Sequence, residues 1–289
     1  DSTPFPAREL FDNDAYKRYY RKQFGYSMTS MISSRGCPFN CDFCSKPVFG
    51  DRFRSRSPEN IVDEMESISN LGYDAIWFGD DCFTISRDRV MSICEEVMRR
   101  GLKVQWQCLS RADTLDLETA QKMKEAGCRR IYFGLESGDN RILSTIIRKG
   151  IDVEVARKAV HDAGSAGVET GAFFMLGYPG EDNETILNTI RFATSLPLNY
   201  LSFTLPYPIP GTGLHEKVKH VLKEHSKRRI SLIDHSLLFQ SEFSELKLKF
   251  GIVKAMTQFK MRRSLGEKGY KTLGRPFEKT TDAIFRAIR

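Results

Sequence analysis

The chain has 289 residues with 40% hydrophobic content, which is enough apolar sequence for a substantial core and excludes an intrinsically disordered protein. Its formal net charge of +7 is concentrated in residues 214–289, which hold 18 Lys and Arg against 8 Asp and Glu. Seven cysteines without a pairing pattern exclude a secreted disulfide framework, and no apolar run approaches the roughly 20 residues of a transmembrane helix, so we expect a cytoplasmic protein.

Short β-rich runs alternate with segments of helical period along residues 28–213. The six predicted strands are residues 28–33, 75–79, 104–110, 130–135, 169–176 and 200–205. The first intervening helix has a clear start, with Ser57 as a predicted N-cap and Pro58 at the first helical position. This alternation predicts an α/β fold with a parallel sheet and right-handed crossovers. Six units are too few for an eight-stranded barrel, so we expect a partial parallel (β/α)6 barrel.

Residues 214–289 are predicted to form a basic, mainly helical extension. The strongest helical pattern is LKLKFGIVKAMTQFKMRRSL, in which apolar residues are mixed with Lys and Arg. Such a helix can cap the open side of the barrel and expose its charges to water, or it can contact an anionic membrane or substrate. RNA binding is not favoured, because the segment lacks interleaved aromatic residues.

A loop after the first predicted strand, RGCPFNCDFCS at residues 35–45, contains Cys37, Cys41 and Cys44. Two thiols would suit a redox pair, and four ligands would suit a closed zinc site. The first histidine is His161, and four further cysteines each stand alone in sequence: Cys82, Cys94, Cys108 and Cys128. Three thiolates on an iron–sulfur cluster, which normally has four, would leave one iron open to a ligand. The loop therefore predicts a metal site with an open position, with structural zinc or redox chemistry as alternatives.

Polar residues also follow the other five predicted strands. Because chemistry collects at the carboxyl ends of parallel strands in β/α folds, these segments are candidates for a binding site. They are Gly79-Asp80-Asp81, Ser110-Arg111, Glu136-Ser137-Gly138, the run from Gly177 to Glu181, and the run from Pro206 to Thr212.

Several of these segments resemble motifs of the radical SAM enzymes. RGCPFNCDFCS matches the cluster motif of that family, including Phe43 before the last cysteine. IYFGLESGD and GAFFMLGYPGE resemble its fourth- and fifth-strand motifs. FGDDCF, CLSRAD, AGCRRIYFGLESG and PYPIPGT are similar to the subgroup that carries an N-terminal cobalamin-binding domain. The resemblance covers about residues 1–213 and specifies no substrate.

The resemblance implies a cofactor set and a chemistry. Cys37, Cys41 and Cys44 would hold a 4Fe–4S cluster whose fourth iron is chelated by S-adenosylmethionine (SAM). An electron donor such as flavodoxin or ferredoxin would reduce the cluster, and SAM cleavage would yield a 5′-deoxyadenosyl radical that abstracts a substrate hydrogen. Residues 1–27 resemble the linker that follows a cobalamin-binding domain, so we expect such a domain upstream and cobalamin as a further cofactor.

The resemblance also implies the SAM contacts. Gly79, Asp80 and Asp81 stand where the family binds the SAM amine, although Asp-Asp replaces the commoner Gly-Glu. A helix-terminal acidic pair is the structural alternative. Arg111 would bind the SAM carboxylate through its planar fork, or would pair with Glu136 as a structural ion bridge.

The remaining expected contacts are with the sugar and the base. Glu136 and Ser137 would contact the ribose or the polar end of SAM, and Gly177 would shape a turn near the adenine. Tyr207 would line the pocket, or would simply pack against its neighbours.

We expect an enzyme that acts on an unactivated C–H bond of a small-molecule or lipid substrate. Methylation, cyclisation or coupling in lipid, tetrapyrrole or natural-product biosynthesis is the leading prediction. A cobalamin-independent enzyme such as an RNA methylthiotransferase is an alternative, although its additional domain is not visible in the sequence. A non-enzymatic iron–sulfur protein for electron transfer or sensing is the other, but it would leave the strand-end motifs without a role.

Overall fold

The computed structural model describes residues 1–45, 48–223 and 236–288. Eight strands lie in this part of the chain: β1 (Met28–Met31), β2 (Ser34–Arg35), β3 (Arg54–Ser55), β4 (Ala75–Phe78), β5 (Gln105–Ser110), β6 (Cys128–Glu136), β7 (Glu169–Met175) and β8 (Tyr200–Thr204). The α-helices in the same residues are α1 (Asn13–Phe24), α2 (Pro58–Asn70), α3 (Arg87–Arg99), α4 (Leu117–Glu125), α5 (Val153–Ser165), α6 (Asn183–Ser195), α7 (Gly213–Val218), α8 (Glu245–Gly269) and α9 (Arg275–Ala287).

Six of the strands form one sheet in the order β1-β4-β5-β6-β7-β8. Strand β1 pairs in parallel with β4, which pairs in parallel with β5, and β5 pairs in parallel with β6. Strands β2 and β3 form a separate antiparallel pair. The prediction of an α/β fold with six parallel strands and a mainly helical C-terminal region is confirmed. None of the helices in the described residues has both the length and the hydropathy needed to cross a membrane.

Helix α2 begins where the sequence predicts. The Ser57 side chain accepts a hydrogen bond from the backbone N–H of Asn60, and Pro58 occupies the first turn, where its missing N–H costs nothing. Ile61, Met65 and Ile68 are fully buried on one face of the helix. Local capping and a 3.6-residue apolar period therefore predict where this helix begins and which of its faces is buried.

The chain divides into two compact units. The first unit comprises Asp1–Pro38, Phe49–Gly134 and Lys158–Gly171, and the second comprises Phe39–Val48, Leu135–Arg157 and Ala172–Arg289. The division of the chain into residues 1–27, 28–213 and 214–289 stays a prediction.

Each unit contains an aromatic core. In the first unit the rings of Phe78, Phe83 and Trp106 contact one another with centroids 4.7–5.5 Å apart, and the Trp106 indole N–H donates to the Ala126 carbonyl at 2.7 Å. In the second unit Phe174 stacks on Phe203 at 5.5 Å. Pairs of this kind contribute about 0.5–1.5 kcal/mol each beyond the burial of their surface.

The basic pattern at residues 246–265 forms most of α8, but two of its lysines are buried. Lys254 is 2% exposed, and its Nζ lies 2.8 Å from an oxygen of Asp282 in α9, whose other oxygen binds Arg191 of α6. Lys247 is 6% exposed and donates to the Ile288 carbonyl at 2.8 Å. Within the second unit, part of the positive charge of this helix is therefore buried against α9 and the residue that follows it, and is not exposed to solvent.

Candidate functional site

The corner between β1 and β2 in the first unit is held by Asp80, which follows β4. Its carboxylate is 1% exposed and accepts hydrogen bonds from the Ser33 backbone N–H at 2.7 Å and from the Ser33 and Ser34 hydroxyls at 2.6 Å each. Arg89 lies 3.5 Å from the same carboxylate. Burial lowers the pKa of the Arg89 guanidinium, and the negative charge of Asp80 opposes that effect.

Asp80 is therefore a buried charge with both hydrogen bonds and a counter-ion, as burial requires. Its predicted role as an acceptor for the SAM amine stays a prediction. In that role its oxygens would be shared between the ligand and these protein donors.

The backbone just before Cys37 is held from two sides. An oxygen of Asp81 accepts a hydrogen bond from the Gly36 N–H at 3.0 Å, and the Cys37 N–H donates to the Gly50 carbonyl at 3.2 Å. Gly36 has φ +85, and a Cβ there would lie 2.2 Å from the Arg52 carbonyl oxygen. Only glycine fits this close backbone approach, which places Cys37 beside residues 50–52.

Two further predicted contacts at strand ends of the first unit are Gly79 and Arg111. The Gly79 N–H donates to the Met31 carbonyl at 2.8 Å, which extends the pairing of β1 and β4 by one residue. Arg111 is 6% exposed, and its Nε and one terminal nitrogen donate to Asp113 at 2.9 and 2.7 Å. Two N–H donors of the Arg111 guanidinium therefore already bind the carboxylate of Asp113. The predicted contact of Arg111 with the SAM carboxylate is of the same two-donor kind.

In the second unit, Asp42 anchors the segment that carries Cys41 and Cys44. Its carboxylate accepts hydrogen bonds from the Tyr178 hydroxyl and from the Lys217 ammonium, both at 2.7 Å. Its backbone N–H donates to the Ile147 carbonyl, and its own carbonyl accepts from the Leu214 N–H, both at 2.9 Å. Burial, followed by the hydrogen bond to Asp42, raises the pKa of Tyr178 above its usual value, so this phenol remains a neutral donor.

Sequence reasoning missed the role of Asp42. Two features of the sequence could have indicated this role. One is the position of Asp42 between Cys41 and Cys44, and the other is the glycine at position 213, which packs on Asp42. A Cβ at Gly213 would lie 2.0 Å from Oδ1 of Asp42, so this approach requires glycine. Tyr178 and Lys217 lie 136 and 175 residues from Asp42 along the chain, so no local pattern links them to the cysteine loop.

Glu136 ends β6 in a strained conformation. Its φ is +67, a left-handed value that is uncommon for a residue other than glycine, and the residue is 7% exposed. One carboxylate oxygen lies 3.2 Å from the Lys149 ammonium. The neighbouring Ser137 hydroxyl shares a 3.0 Å hydrogen bond with the Thr189 hydroxyl. Strained backbone of this kind concentrates at functional sites, which supports Glu136 as a site residue.

The turn after β7 is organised by Glu181. One of its oxygens accepts the backbone N–H groups of Gly177 and Tyr178 at 2.8 Å each, and Gly177 adopts φ +89. The other oxygen has no hydrogen-bond partner among the described residues. Burial raises the pKa of Glu181 to about 8. Tyr207 in the turn after β8 is 52% exposed, and its contribution to a pocket wall stays a prediction.

The seven cysteines fall into two chemical classes. All of them lie in the described part of the chain, where none forms a disulfide. Cys37, Cys41 and Cys44 are half-buried, whereas the other four are buried: Cys82, Cys94, Cys108 and Cys128. Burial raises the pKa of Cys94 to about 12, and it also raises the pKa of Cys108. Because metals bind the thiolate, the three half-buried cysteines are the better ligands.

Among the described residues, no three His, Cys, Asp or Glu side chains are grouped as ligands of a single metal ion. In a cubane cluster the thiolates bind to different irons, so a cluster site does not require such a group. The residues present therefore fit the predicted cluster by donor chemistry.

Known proteins with similar sequences include methyltransferases and cyclases. The chain is 38% identical to an uncharacterized methyltransferase of Pyrococcus horikoshii over 218 residues, which cover 75% of this chain and 46% of that protein. It is 26% identical to the anaerobic magnesium-protoporphyrin IX monomethyl ester cyclase of Cereibacter sphaeroides, over 86% of this chain and 41% of that enzyme. The chain thus spans less than half the length of these relatives.

The fold is also shared with a solved structure. The radical SAM methyltransferase TsrM from Kitasatospora setae, determined with cobalamin and a 4Fe–4S cluster bound, superposes with a TM-score of 0.63 at 24% identity, over 70% of this chain and 38% of that one. A sequence model of the radical SAM superfamily matches residues 31–193, more than half of the chain, which therefore belongs to that superfamily.

Proposed function

We propose that this chain is the catalytic part of a radical SAM enzyme, in which Cys37, Cys41 and Cys44 hold a 4Fe–4S cluster. The observation that carries the proposal is the contrast, within the matched region, between these three half-buried thiols and the four buried ones. When bound, the cluster and SAM supply an electron and a 5′-deoxyadenosyl radical, which abstracts hydrogen from an unactivated C–H bond.

The protein's own residues position these groups. Asp80 and Asp81 hold the backbone before Cys37, while Asp42 holds the segment of Cys41 and Cys44. Glu181 fixes the backbone of Gly177, which the family resemblance places near the adenine. Preorganised backbone of this kind limits the freedom of a reactive radical and helps to exclude water.

The proposed SAM contacts are those of the strand ends. Arg111 would bind the SAM carboxylate, and Gly79 with Asp80 or Asp81 would bind its amine. Glu136 and Ser137 would bind the ribose or the polar end, and Tyr207 would line the pocket. The strain at Glu136 supports its assignment, whereas Arg111 would have to exchange or share its bonds to Asp113 in order to bind SAM.

The favoured reaction is methylation of a carbon atom, with cyclisation or coupling as the alternatives. The methyltransferase and cyclase names of the relatives support this choice. We propose a small molecule or lipid as substrate and the cytoplasm as location. Cobalamin would be bound by a further domain outside this sequence, as the subgroup resemblance implies. Contact between the basic extension and an anionic membrane receives no support from Lys247 and Lys254, which are buried.

The cluster assignment is tested by anaerobic reconstitution with iron and sulfide. The wild-type chain should bind one 4Fe–4S cluster and, with dithionite and SAM, slowly form 5′-deoxyadenosine. Alanine at Cys37, Cys41 or Cys44 should abolish both properties. Cys94→Ala is the matched control, because that thiol is buried and protonated. Loss of the cluster in a folded Cys94→Ala protein, to the same extent as in the other three, would contradict the assignment.

The cobalamin proposal is tested by extending the protein upstream. The chain alone should cleave SAM without binding hydroxocobalamin tightly, whereas the longer protein should bind hydroxocobalamin and transfer a methyl group. Methyl transfer by the chain alone, without added cobalamin, would refute this part of the proposal while leaving the cluster assignment intact.

A further inference from the structure

Three exposed arginines surround the backbone that carries Cys37 in the first unit. Arg35 lies in β2 two residues before Cys37, while Arg52 precedes β3 and Arg54 begins it. The hydrogen bond from Cys37 to Gly50 and the close approach of Gly36 to Arg52 tie these segments together. We call Arg35, Arg52 and Arg54 the arginine patch.

The arginine patch lacks counter-ions. Within the described residues, no carboxylate lies within ion-pair distance of any of its three guanidinium groups, and the exposed Asp51 pairs with none of them. Other exposed arginines of the same unit are paired: Arg21 with Asp74 at 2.9 Å, Arg87 with Glu118 at 2.6 Å and Arg99 with Glu96 at 2.7 Å. Lack of a counter-ion is therefore not shared by every exposed arginine of this unit, and the patch is distinguished by three such arginines on neighbouring segments.

The local strand pairing keeps two of these charges together. Arg35 and Arg54 are directly opposite each other in the antiparallel pair of β2 and β3, an arrangement that is destabilising for like charges. Both side chains are oriented by Phe49, because Arg35 lies 6.0 Å from the ring centroid and Arg54 donates to the Phe49 carbonyl at 3.0 Å. The patch thus presents oriented positive charge at a cost to local stability, which an acidic partner would offset.

A neighbouring cavity does not account for this charge. The cavity has a volume of about 480 Å³ and is lined in part by Arg8, Arg35, Arg54, Arg56 and Glu64. Arg8 and Arg56 are both ion-paired with Glu64, so the unpaired charge lies at the exposed rim, and Arg52 does not line the cavity. An exposed rim of positive charge suits an extended acidic surface better than a small enclosed anion.

We propose that the arginine patch docks the acidic surface of a protein one-electron donor. This inference rests on the proposed function, which requires an electron at a cluster held in part by Cys37. The donor would lose one electron and the oxidised cluster would gain it, with no bond formed or broken and no proton transferred. The positive charge of the patch attracts an acidic donor to the backbone that carries Cys37. Complementary charge also raises the rate at which the two proteins meet.

The test compares two triple variants of the reconstituted chain. R35Q/R52Q/R54Q removes the patch, and R18Q/K22Q/K103Q removes three exposed positive charges from α1 and from the segment before β5. Stopped-flow absorbance follows cluster reduction by a reduced flavodoxin of acidic surface, at about 0.05 M and about 0.5 M salt. Affinity for oxidised flavodoxin is measured by titration as a second readout, which needs no turnover.

The patch variant should be reduced by flavodoxin about 10- to 100-fold more slowly than wild type at low salt, with little difference at high salt. Its affinity for oxidised flavodoxin should fall, while its cluster content and dithionite-driven 5′-deoxyadenosine formation stay at the wild-type level. The control variant should resemble wild type.

Equal slowing in both triple variants would overturn the docking proposal, and so would an unchanged rate in the patch variant. Slower reduction by dithionite would also overturn it, because it would indicate damage to the cluster site. Binding of inorganic phosphate that is lost only in the patch variant, without an effect on the flavodoxin rate, would make the patch a small-anion site instead. Failure of wild-type protein to form 5′-deoxyadenosine with dithionite would instead refute the proposed function.

Discussion

Asp80 in the first unit and Glu181 in the second are buried carboxyl groups that each hold the backbone following a strand. Their surroundings differ. Asp80 accepts one backbone N–H and two hydroxyls and has Arg89 as a counter-ion. Glu181 accepts two backbone N–H groups and has no cation within ion-pair distance among the described residues. Burial raises the pKa of Glu181 to about 8, so this carboxyl is largely protonated at neutral pH.

Both carboxyl groups hold backbone N–H groups in place, but only the negative charge of Asp80 is balanced by a nearby cation. A buried ion pair is costly to break from either side, because the remaining charge is left without a partner. A buried carboxyl without a cation is instead sensitive to pH, because its ionisation must be supported by backbone dipoles alone. We therefore expect the corner at Asp80 to be sensitive to mutation and the turn at Glu181 to be sensitive to pH.

The largest expected effect is at Asp80. Asp80→Asn removes the counter-charge of Arg89 and should lower the free energy of unfolding by about 3–5 kcal/mol, because the guanidinium remains buried. Urea unfolding of the cluster-free protein under anaerobic conditions measures this change. Asp81→Asn, which affects one described hydrogen bond to Gly36, is the control and should cost about 1 kcal/mol. A decrease in the free energy of unfolding below about 1 kcal/mol for Asp80→Asn would show that the Asp80–Arg89 pair does not stabilise the fold.

A smaller effect is expected where Gly213 packs on Asp42. Gly213→Ala places a methyl group 2.0 Å from Oδ1 of Asp42, whose other carboxylate oxygen, Oδ2, is held by Tyr178 and Lys217. The overpacking should cost about 1–3 kcal/mol and should reduce cluster incorporation, because the segment of Cys41 and Cys44 is displaced.

Thermal unfolding and the iron content after reconstitution measure these two effects. Gly164→Ala in α5 is the control, because its added Cβ contacts nothing within 4 Å and alanine favours a helix. Full cluster incorporation in a destabilised Gly213→Ala protein would show that Asp42 does not position the cysteines.

The smallest effect is expected at Glu181 and depends on pH. A carboxyl whose folded pKa is raised stabilises the fold fully below its unfolded pKa, near 4.5, and loses that contribution as pH rises through about 8. Wild-type stability should therefore fall as pH rises from about 4.5 through about 8, and the part of this decrease that Glu181 contributes above pH 7 should be about 1 kcal/mol.

Glu181→Gln should remove this part of the decrease, because an amide does not ionise in the range. Glu184→Gln is the control, since Arg286 lowers the pKa of that exposed carboxyl and it does not titrate between pH 7 and 9. Identical slopes of stability against pH in wild type and Glu181→Gln would show that Glu181 is already ionised at pH 7.

The six strands, the start of α2 and the helix at residues 246–265 were predictable because each depends on nearby residues. Apolar periods of two or 3.6 residues indicate strand or helix, and Ser57 with Pro58 indicates a helix start. The spacing of Cys37, Cys41 and Cys44 is also local and predicts a metal site with an open position, while the family follows from the resemblance of several motifs. Superfamily membership and the α/β sheet were therefore determined by the sequence alone.

The partners of the buried charges were decided only by the tertiary structure. Asp80 binds serines 46 and 47 residues away, and Asp42 binds Tyr178 and Lys217 from much farther along the chain. Lys254 is buried against Asp282, although its position in a basic helix suggests exposure. Sequence periodicity reports which face of an element is apolar, but it does not report which distant side chain neutralises a charge. That pairing depends on the packing of elements far apart in the chain, which is why Asp42 and Arg89 were not recognised from sequence.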